Sequence, residues 1–273
     1  MNTKSETGSI SMRHEEVVKH ISSWMTQKLV ESKARGFVIG VSGGIDSALT
    51  SALAAITGEP TLALNMPINQ EEGQFSRSNE QIDWLKSRYD NVLSHVIDLT
   101  SMHESFKSVL PFEISELAYA NLASRLRMIT LYAFANSKNY LVVGTGNKVE
   151  DYGIGFFTKY GDGGVDISPI ADLLKTEVYK MAKSIGVPKS IQEAIPTDGL
   201  WGDNRSDEEQ IGASYKNLEW ALDFYDKNQQ ESRFLTREQK EALSIYTLRH
   251  INNKHKLEPV SYTHLTLPTI YSV

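Results

Sequence analysis

A short apolar run that ends in glycines and turns at once into a helix constrains this chain more than any other stretch. Gly36-Phe37-Val38-Ile39-Gly40-Val41 reads as a buried strand, Ser42-Gly43-Gly44-Ile45-Asp46-Ser47 as a polar turn, and Ala48 to Ile56 as an Ala/Leu-rich helix. Two adjacent glycines let main-chain N–H groups close round an anion, and the following helix adds unpaired N–H donors and the positive end of its dipole. Ser42 and Ser47 add hydroxyls. Asp46 is the discordant member, because a carboxylate repels phosphate. Either it caps the helix, or a divalent cation stands between it and the phosphates, as Mg2+ does when held by carboxylates and phosphate oxygens. The turn has neither the lysine of a Walker A loop nor the spaced glycines of a dinucleotide fingerprint.

The surrounding pattern supplies the architecture. Strands are expected at Thr61–Met66, Asn91–Leu99 and Tyr140–Val143, and helices at Glu15–Glu31, Phe75–Tyr89 and Ser115–Asn136. Alternating strands and helices with short connections indicate an α/β fold, a doubly wound parallel sheet with helices on both faces. The second half differs. Residues 153–170 carry seven glycines and aspartates around Phe156-Phe157-Thr158-Lys159-Tyr160, which reads as a ligand-facing loop. Short helices are expected at 172–185 and 188–194. Capping boxes at Ser206–Glu209 and Thr236–Gln239 open helices reaching about Tyr225 and His255, a C-terminal helical flank. Residues 1–13 read as a loose arm. Residues 260–273 lack Lys, Arg, Asp and Glu and have no helical period. They read as a non-native tail, the alternative being a β-like tail that docks on a neighbour. One domain over residues 1–259 is expected.

Composition removes whole classes of chemistry. The chain has no cysteine, which excludes disulfides, thiolate-held metals, iron–sulfur clusters and thiol nucleophiles. With 28 Lys+Arg against 34 Asp+Glu, it lacks the basic character of a protein that coats nucleic acid. No apolar stretch approaches the ~18 residues of a membrane span. The first 20 residues are polar and charged, so the chain is expected in the cytoplasm.

The S-G-G-x-D-S loop resembles the ATP site of the N-type ATP pyrophosphatases, whose members cleave ATP between the α- and β-phosphates and adenylate a substrate oxygen. Three further blocks narrow the resemblance: Leu141 to Glu150 (LVVGTGNKVE), Gly155 to Asp166 (GFFTKYGDGGVD) and Pro196-Thr197-Asp198-Gly199-Leu200. They are similar to the signature blocks of the NAD synthetases, in the short ammonia-dependent form, and the likeness runs from about Gly36 to Lys256. It implies ATP on Gly40, Ser42, Gly43, Gly44, Asp46 and Ser47, with Thr145, Lys175 and Thr197. It implies Mg2+ on Asp46 and Glu150, and deamido-NAD on Arg125, Lys159, Asp166, His255 and Lys256. Asp46 and Lys175 would serve the chemistry, with Asp166 as proton acceptor for ammonium. The family is homodimeric. In this light the missing cysteine excludes a cysteine-dependent glutaminase, leaving free ammonia, or ammonia from a separate protein, as the nitrogen donor.

The residues support parts of this on their own. An acidic protein that holds polyphosphates must concentrate positive charge locally, and Arg125, Lys148, Lys159, Lys175 and Lys256 are the candidates. Arg127 reads as a structural ion-pair partner, since i and i+2 do not share a helix face. Asp46 follows the first strand and Glu150 the fourth, both at the carboxyl edge where open α/β sheets bind ligands. Residues 145–159 hold one residue more than some members between the Glu and Lys positions, so Asp151 competes with Glu150 for the metal. His255 is also readable as the polar end of a terminal helix. The rival readings are a tRNA-modifying thiolase, excluded where a catalytic cysteine is required, and a nucleotide-binding sensor, which has no need of Glu150, Lys159 and Lys175 together.

Overall fold

The computed structural model describes residues 14–197, 199, 205–227 and 235–257. The expectations for residues 1–13 and 260–273, and for Asp198 and Leu200, fall outside them. Strands β1 (Phe37–Gly40), β2 (Thr61–Asn65), β3 (Val92–Val96) and β4 (Leu141–Val143) form a parallel sheet in the order β3-β2-β1-β4. A parallel bridge from Val143 to Ile167 continues it past β4. The winding reverses between β1 and β4, and ligands bind at such a switch point, outside the carboxyl ends of the strands.

The side chains of β1 alternate between two cores. Phe37 and Ile39 face α1 (His14–Ser32), α2 (Ile45–Ile56) and α6 (Lys175–Ile185). Val38 joins Leu62, Leu64 and Val142 against α5 (Glu116–Lys138). Phe37, Val38 and Ile39 are wholly buried, each contributing about 1.5–3 kcal/mol by leaving water. The third helix, α3 (Glu72–Arg88), packs beside α2 over β2 and β3. The short helix α7 (Lys189–Gln192) follows α6.

A smaller core forms the expected helical flank. Helices α8 (Asp207–Ile211), α9 (Tyr215–Asp226) and α10 (Arg237–Leu257) enclose Leu218, Leu222 and Tyr246 with Val149 and Ile154.

Four local differences from the sequence reading have physical causes. Helix α2 starts at Ile45 rather than Ala48, with Gly44 as its N-cap, which brings Asp46 and Ser47 into the first turn. Helix α4 (Thr100–Ser108) was not anticipated: Met102 and Phe106 are exposed and only His103 is buried, so no apolar stripe marks it. The helix expected through Tyr225 is two. Gly212 ends α8 in the left-handed region at φ 89°, and the Ser214 hydroxyl restarts the chain as α9 by accepting from Asn217 N–H. Finally, the stretch leading into the glycine-rich loop is a π-helix, Lys148–Ile154. A π turn accommodates an extra residue without displacing what lies on either side, and it is common at functional sites.

Candidate active site

The glycine turn closes on itself at the head of β1. Ser47 Oγ accepts from Ser42 N–H at 3.1 Å, lies 3.0 Å from Ser42 Oγ, and donates to the Gly44 carbonyl at 3.0 Å. Gly43 has φ 86°, and a Cβ there would stand 2.6 Å from the Gln74 carbonyl of α3. Only glycine meets both conditions. Ser42 to Ser47 line a narrow cavity at the N-terminus of α2, shared with Thr145, Glu150, Lys175 and Thr197.

Asp46 does not cap α2, whose N-cap Gly44 has no side-chain partner. Its carboxylate points to β4 instead. Lys175, 2% exposed, sets its ammonium 2.5 Å from Asp46 Oδ2 and 2.9 Å from Glu150 Oε1. Asn147 explains why the two acids converge. As N-cap of the π-helix it accepts from Val149 and Glu150 N–H through Oδ1. Its Nδ2 is thereby turned to donate to Asp46 Oδ1 at 3.2 Å and Glu150 Oε2 at 2.6 Å. Tyr215 of α9 completes the knot, its hydroxyl donating to Glu150 Oε1 and lying 3.2 Å from Asp207 Oδ2. The flank also anchors the lysine's helix, for Glu219 accepts from both the N–H and the hydroxyl of Thr176.

The electrostatics follow from this packing. Burial works against the charge on Lys175, but Asp46 and Glu150 outweigh it and hold the ammonium above the usual lysine range. Burial and the neighbouring Glu150 push the Tyr215 phenol far up, so it remains a donor. Asp151 lines the same cavity, its carboxyl filling the space a Cβ on Gly146 would need. Burial, then Asp162, Glu150 and Asp46, push Asp151 well above the carboxylate range. Glu150, not Asp151, is the acid that meets Asp46 and Lys175.

Two carboxylates with amide and phenol neighbours are hard oxygen donors suited to Mg2+. Among the described residues no group of three or more His, Cys, Asp or Glu is arranged to hold a metal alone. Asp46 and Glu150 would supply two ligands to such an ion, and Mg2+ commonly completes its shell with phosphate oxygens and water.

A second group gathers round the aromatic–glycine loop. Arg125 donates twice to the Lys159 carbonyl at 3.3 Å, and Lys159 Nζ donates to the His255 carbonyl. Lys256 donates to the Gly155 and Phe157 carbonyls at 2.8 and 2.9 Å, tying α10 to that loop. Asp166 stands apart, accepting from Tyr132 OH at 2.9 Å and Val142 N–H at 2.8 Å, and lines neither cavity.

A larger cavity of about 630 Å3 adjoins the glycine turn and shares Ser42, Ser47, Thr145 and Thr197 with it. Gly40, Leu64 and Met66 floor it at the strand ends, and Lys256, Arg249 and Arg127 supply positive charge. Arg127 departs from the sequence reading. Its Nε donates to the Met66 carbonyl at 3.0 Å, it has no ion pair among the described residues, and burial lowers it to about 10. Lys148 belongs to the π-helix and lines neither cavity.

Asn147, Tyr215, Asp162 and Arg77 line or brace the site and were not singled out from sequence. Asn147 carried a signal, a cap residue directly before K-V-E. Tyr215 carried none, since it reaches Glu150 from 65 positions away.

A family model described as NAD synthase matches residues 17–260. An NH(3)-dependent NAD(+) synthetase of Thermococcus kodakarensis is 41% identical over 211 residues, covering 75% of this chain and 78% of that protein. A solved NMN synthetase from Francisella tularensis superposes with a TM-score of 0.81 at 32% identity, over 92% of this chain and 98% of that one. An NH3-dependent NAD synthetase from Campylobacter jejuni, in complex with nitrate, gives a TM-score of 0.76 at 25% identity, over 92% and 99%.

Proposed function

This chain belongs to the NAD synthase family, and we propose on that premise that it joins ammonia to the nicotinate carboxyl of deamido-NAD, spending one ATP as AMP and pyrophosphate. The observation that carries this reading is the Asp46–Lys175–Glu150 knot held by Asn147 directly beneath the glycine turn. It sets two carboxylates and a lysine against an anion cradle, the arrangement that ATP cleavage between the α- and β-phosphates requires.

The reaction runs in two steps. A nicotinate oxygen attacks the α-phosphorus, forming a C–O–P bond as the bond to the β-phosphate breaks and pyrophosphate leaves. Ammonia then attacks the acyl carbon, the C–O bond to AMP breaks, and the nitrogen sheds a proton. The turn amides, the α2 N-terminus and the hydroxyls of Ser42 and Ser47 hold the phosphates through donors fixed before reaction. Asp46 and Glu150 would hold Mg2+, which when bound would neutralise charge on the phosphates. Lys175 bridges these acids on the wall of the phosphate cavity. Thr145 and Thr197 stand at the junction of the two cavities. Arg125, Lys159, His255 and Lys256 form the dinucleotide side, and the ammonium proton passes to water, since Asp166 lines neither cavity.

Two copies associate. Leu93 and Val96 on β3, Met102 and Phe106 on α4, and Leu117 and Ile129 on α5 are all exposed, supporting this reading. No described helix is long and apolar enough to cross a membrane.

The test is incubation with ATP, Mg2+, ammonium and deamido-NAD. NAD, AMP and pyrophosphate are expected in equal amounts, with no product when glutamine replaces ammonium. ADP as the nucleotide product overturns the reading. A second acceptor, nicotinic acid mononucleotide, belongs in the same assay. The likeness to an NMN synthetase at 32% identity motivates the comparison, the 41% identity to an NH(3)-dependent NAD(+) synthetase favours deamido-NAD, and the larger kcat/KM decides between them.

A further inference from the structure

Arg77 stands on α3 where that helix presses on the glycine turn. A Cβ on Gly43 would lie 2.6 Å from the Gln74 carbonyl and 3.2 Å from Arg77 Cβ, so the arginine rises beside the anion cradle, and it lines the same cavity as Ser42 to Ser47. Its Nε is shielded from water and has no hydrogen-bond partner. No carboxylate among the described residues stands within ion-pair distance of it, and Glu71, which approaches the same turn of α3, makes no pair with it. Arg77 as a whole is half-buried, and a shielded N–H without a partner costs free energy that a ligand would recover.

The charge on the cavity wall strengthens the case. Asp46, Glu150, Asp151, Asp162 and Asp207 all line it, against Lys175 and Arg77. Lys175 is already answered by two carboxylates at 2.5 and 2.9 Å. A triphosphate, with about four negative charges, therefore meets one cation that no carboxylate among the described residues pairs with. Guanidinium is also the group that grips phosphate through paired N–H donors.

We propose that Arg77 is a substrate-contacting residue of this site, binding the β- and γ-phosphates of ATP and then the pyrophosphate that leaves. This rests on the ATP reading given above. Nothing covalent is asked of it. By holding charge that belongs to pyrophosphate but not to AMP, it favours departure of the one while the acyl-adenylate stays behind.

The test compares the full chain with Arg77→Gln, Arg77→Lys and Arg88→Gln, the last removing a charge from the far end of the same helix. Pyrophosphate and ATP binding are measured calorimetrically with Mg2+ present, and KM is measured for both nucleotide substrates. Arg77→Gln is expected to weaken pyrophosphate binding about 10- to 100-fold, as loss of a charged hydrogen bond does. It should raise KM for ATP and leave KM for the acceptor unchanged. Arg77→Lys is expected to recover part of the loss, and Arg88→Gln to change nothing. Unchanged pyrophosphate affinity in Arg77→Gln, or an equal loss in Arg88→Gln, overturns the inference while leaving the ATP reading intact. A wild-type chain that binds neither ATP nor pyrophosphate overturns both.

Discussion

Lys175 holds Asp46 across the sheet's switch point, ammonium to carboxylate at 2.5 Å, with both side chains largely out of water. Such a pair adds little net stability over an apolar replacement of the whole cluster, but loss of one member strands the others. Lys175→Met is therefore expected to cost about 3–5 kcal/mol, read from the urea midpoint at neutral pH. The penalty should shrink as pH falls, because the stranded carboxylates then take up protons.

The wild-type pair also sets an alkaline limit. Lys175 is held above its ordinary 10.5, so the folded chain binds that proton more tightly than the unfolded one. Its contribution is complete below about pH 10.5 and drains away as pH rises beyond it. Stability measured from pH 9 to 12 should fall more steeply for wild type than for Lys175→Met.

Asp151 has the opposite sense. Its carboxyl is pushed well above the ordinary 3.8 by burial and by Asp162, Glu150 and Asp46. The folded state thus prefers the protonated acid, and stability is lost as pH rises from about 4. Asp151→Asn imitates that acid. It is expected to raise the urea midpoint at pH 7 and to be neutral near pH 3; a variant less stable at pH 7 contradicts the packing described.

Tyr215→Phe keeps the ring and removes the donor that reaches Glu150 from the helical flank. The loss should be about 1–2 kcal/mol. With Glu150 freed on one side, the Mg2+ concentration for half activity should rise more than kcat falls, which a magnesium titration at saturating ATP resolves.

Gly43→Ala forces a side chain into positive φ and against the Gln74 carbonyl. A cost of about 2 kcal/mol or more is expected. Nucleotide binding should disappear in calorimetry even where thermal melts show the chain still folded.

Much of this was legible in the sequence. Phe37 to Ser47 announced strand, turn and helix because glycine is required where the chain doubles back, and that requirement is local. Asp46 and Glu150 were paired by the family resemblance, and the reading that both follow strands at the carboxyl edge of the sheet supported it. The bond that joins them was not legible, because Asn147 reaches Asp46 from 101 positions away. The π-helix was hidden for a different reason. One additional residue between Glu150 and Lys159 widens a turn without altering the apolar pattern, so it registered as rivalry between Glu150 and Asp151 rather than as a change of pitch. Gly212 was readable as a C-cap, yet the capping box before it and the periodic residues after it suggested one continuous helix.

The sheet order has a consequence for how the protein is made. Strands β1 and β2 pair early in the chain, but β4 enters beside β1 only after β2, β3 and α5 have been laid down, and Lys175 lies 129 positions beyond Asp46. A chain emerging from the ribosome thus completes its glycine turn long before it can hold a carboxylate pair. The Asp46–Lys175–Glu150 cluster is therefore assembled by a late docking event, after the turn it serves has been synthesised.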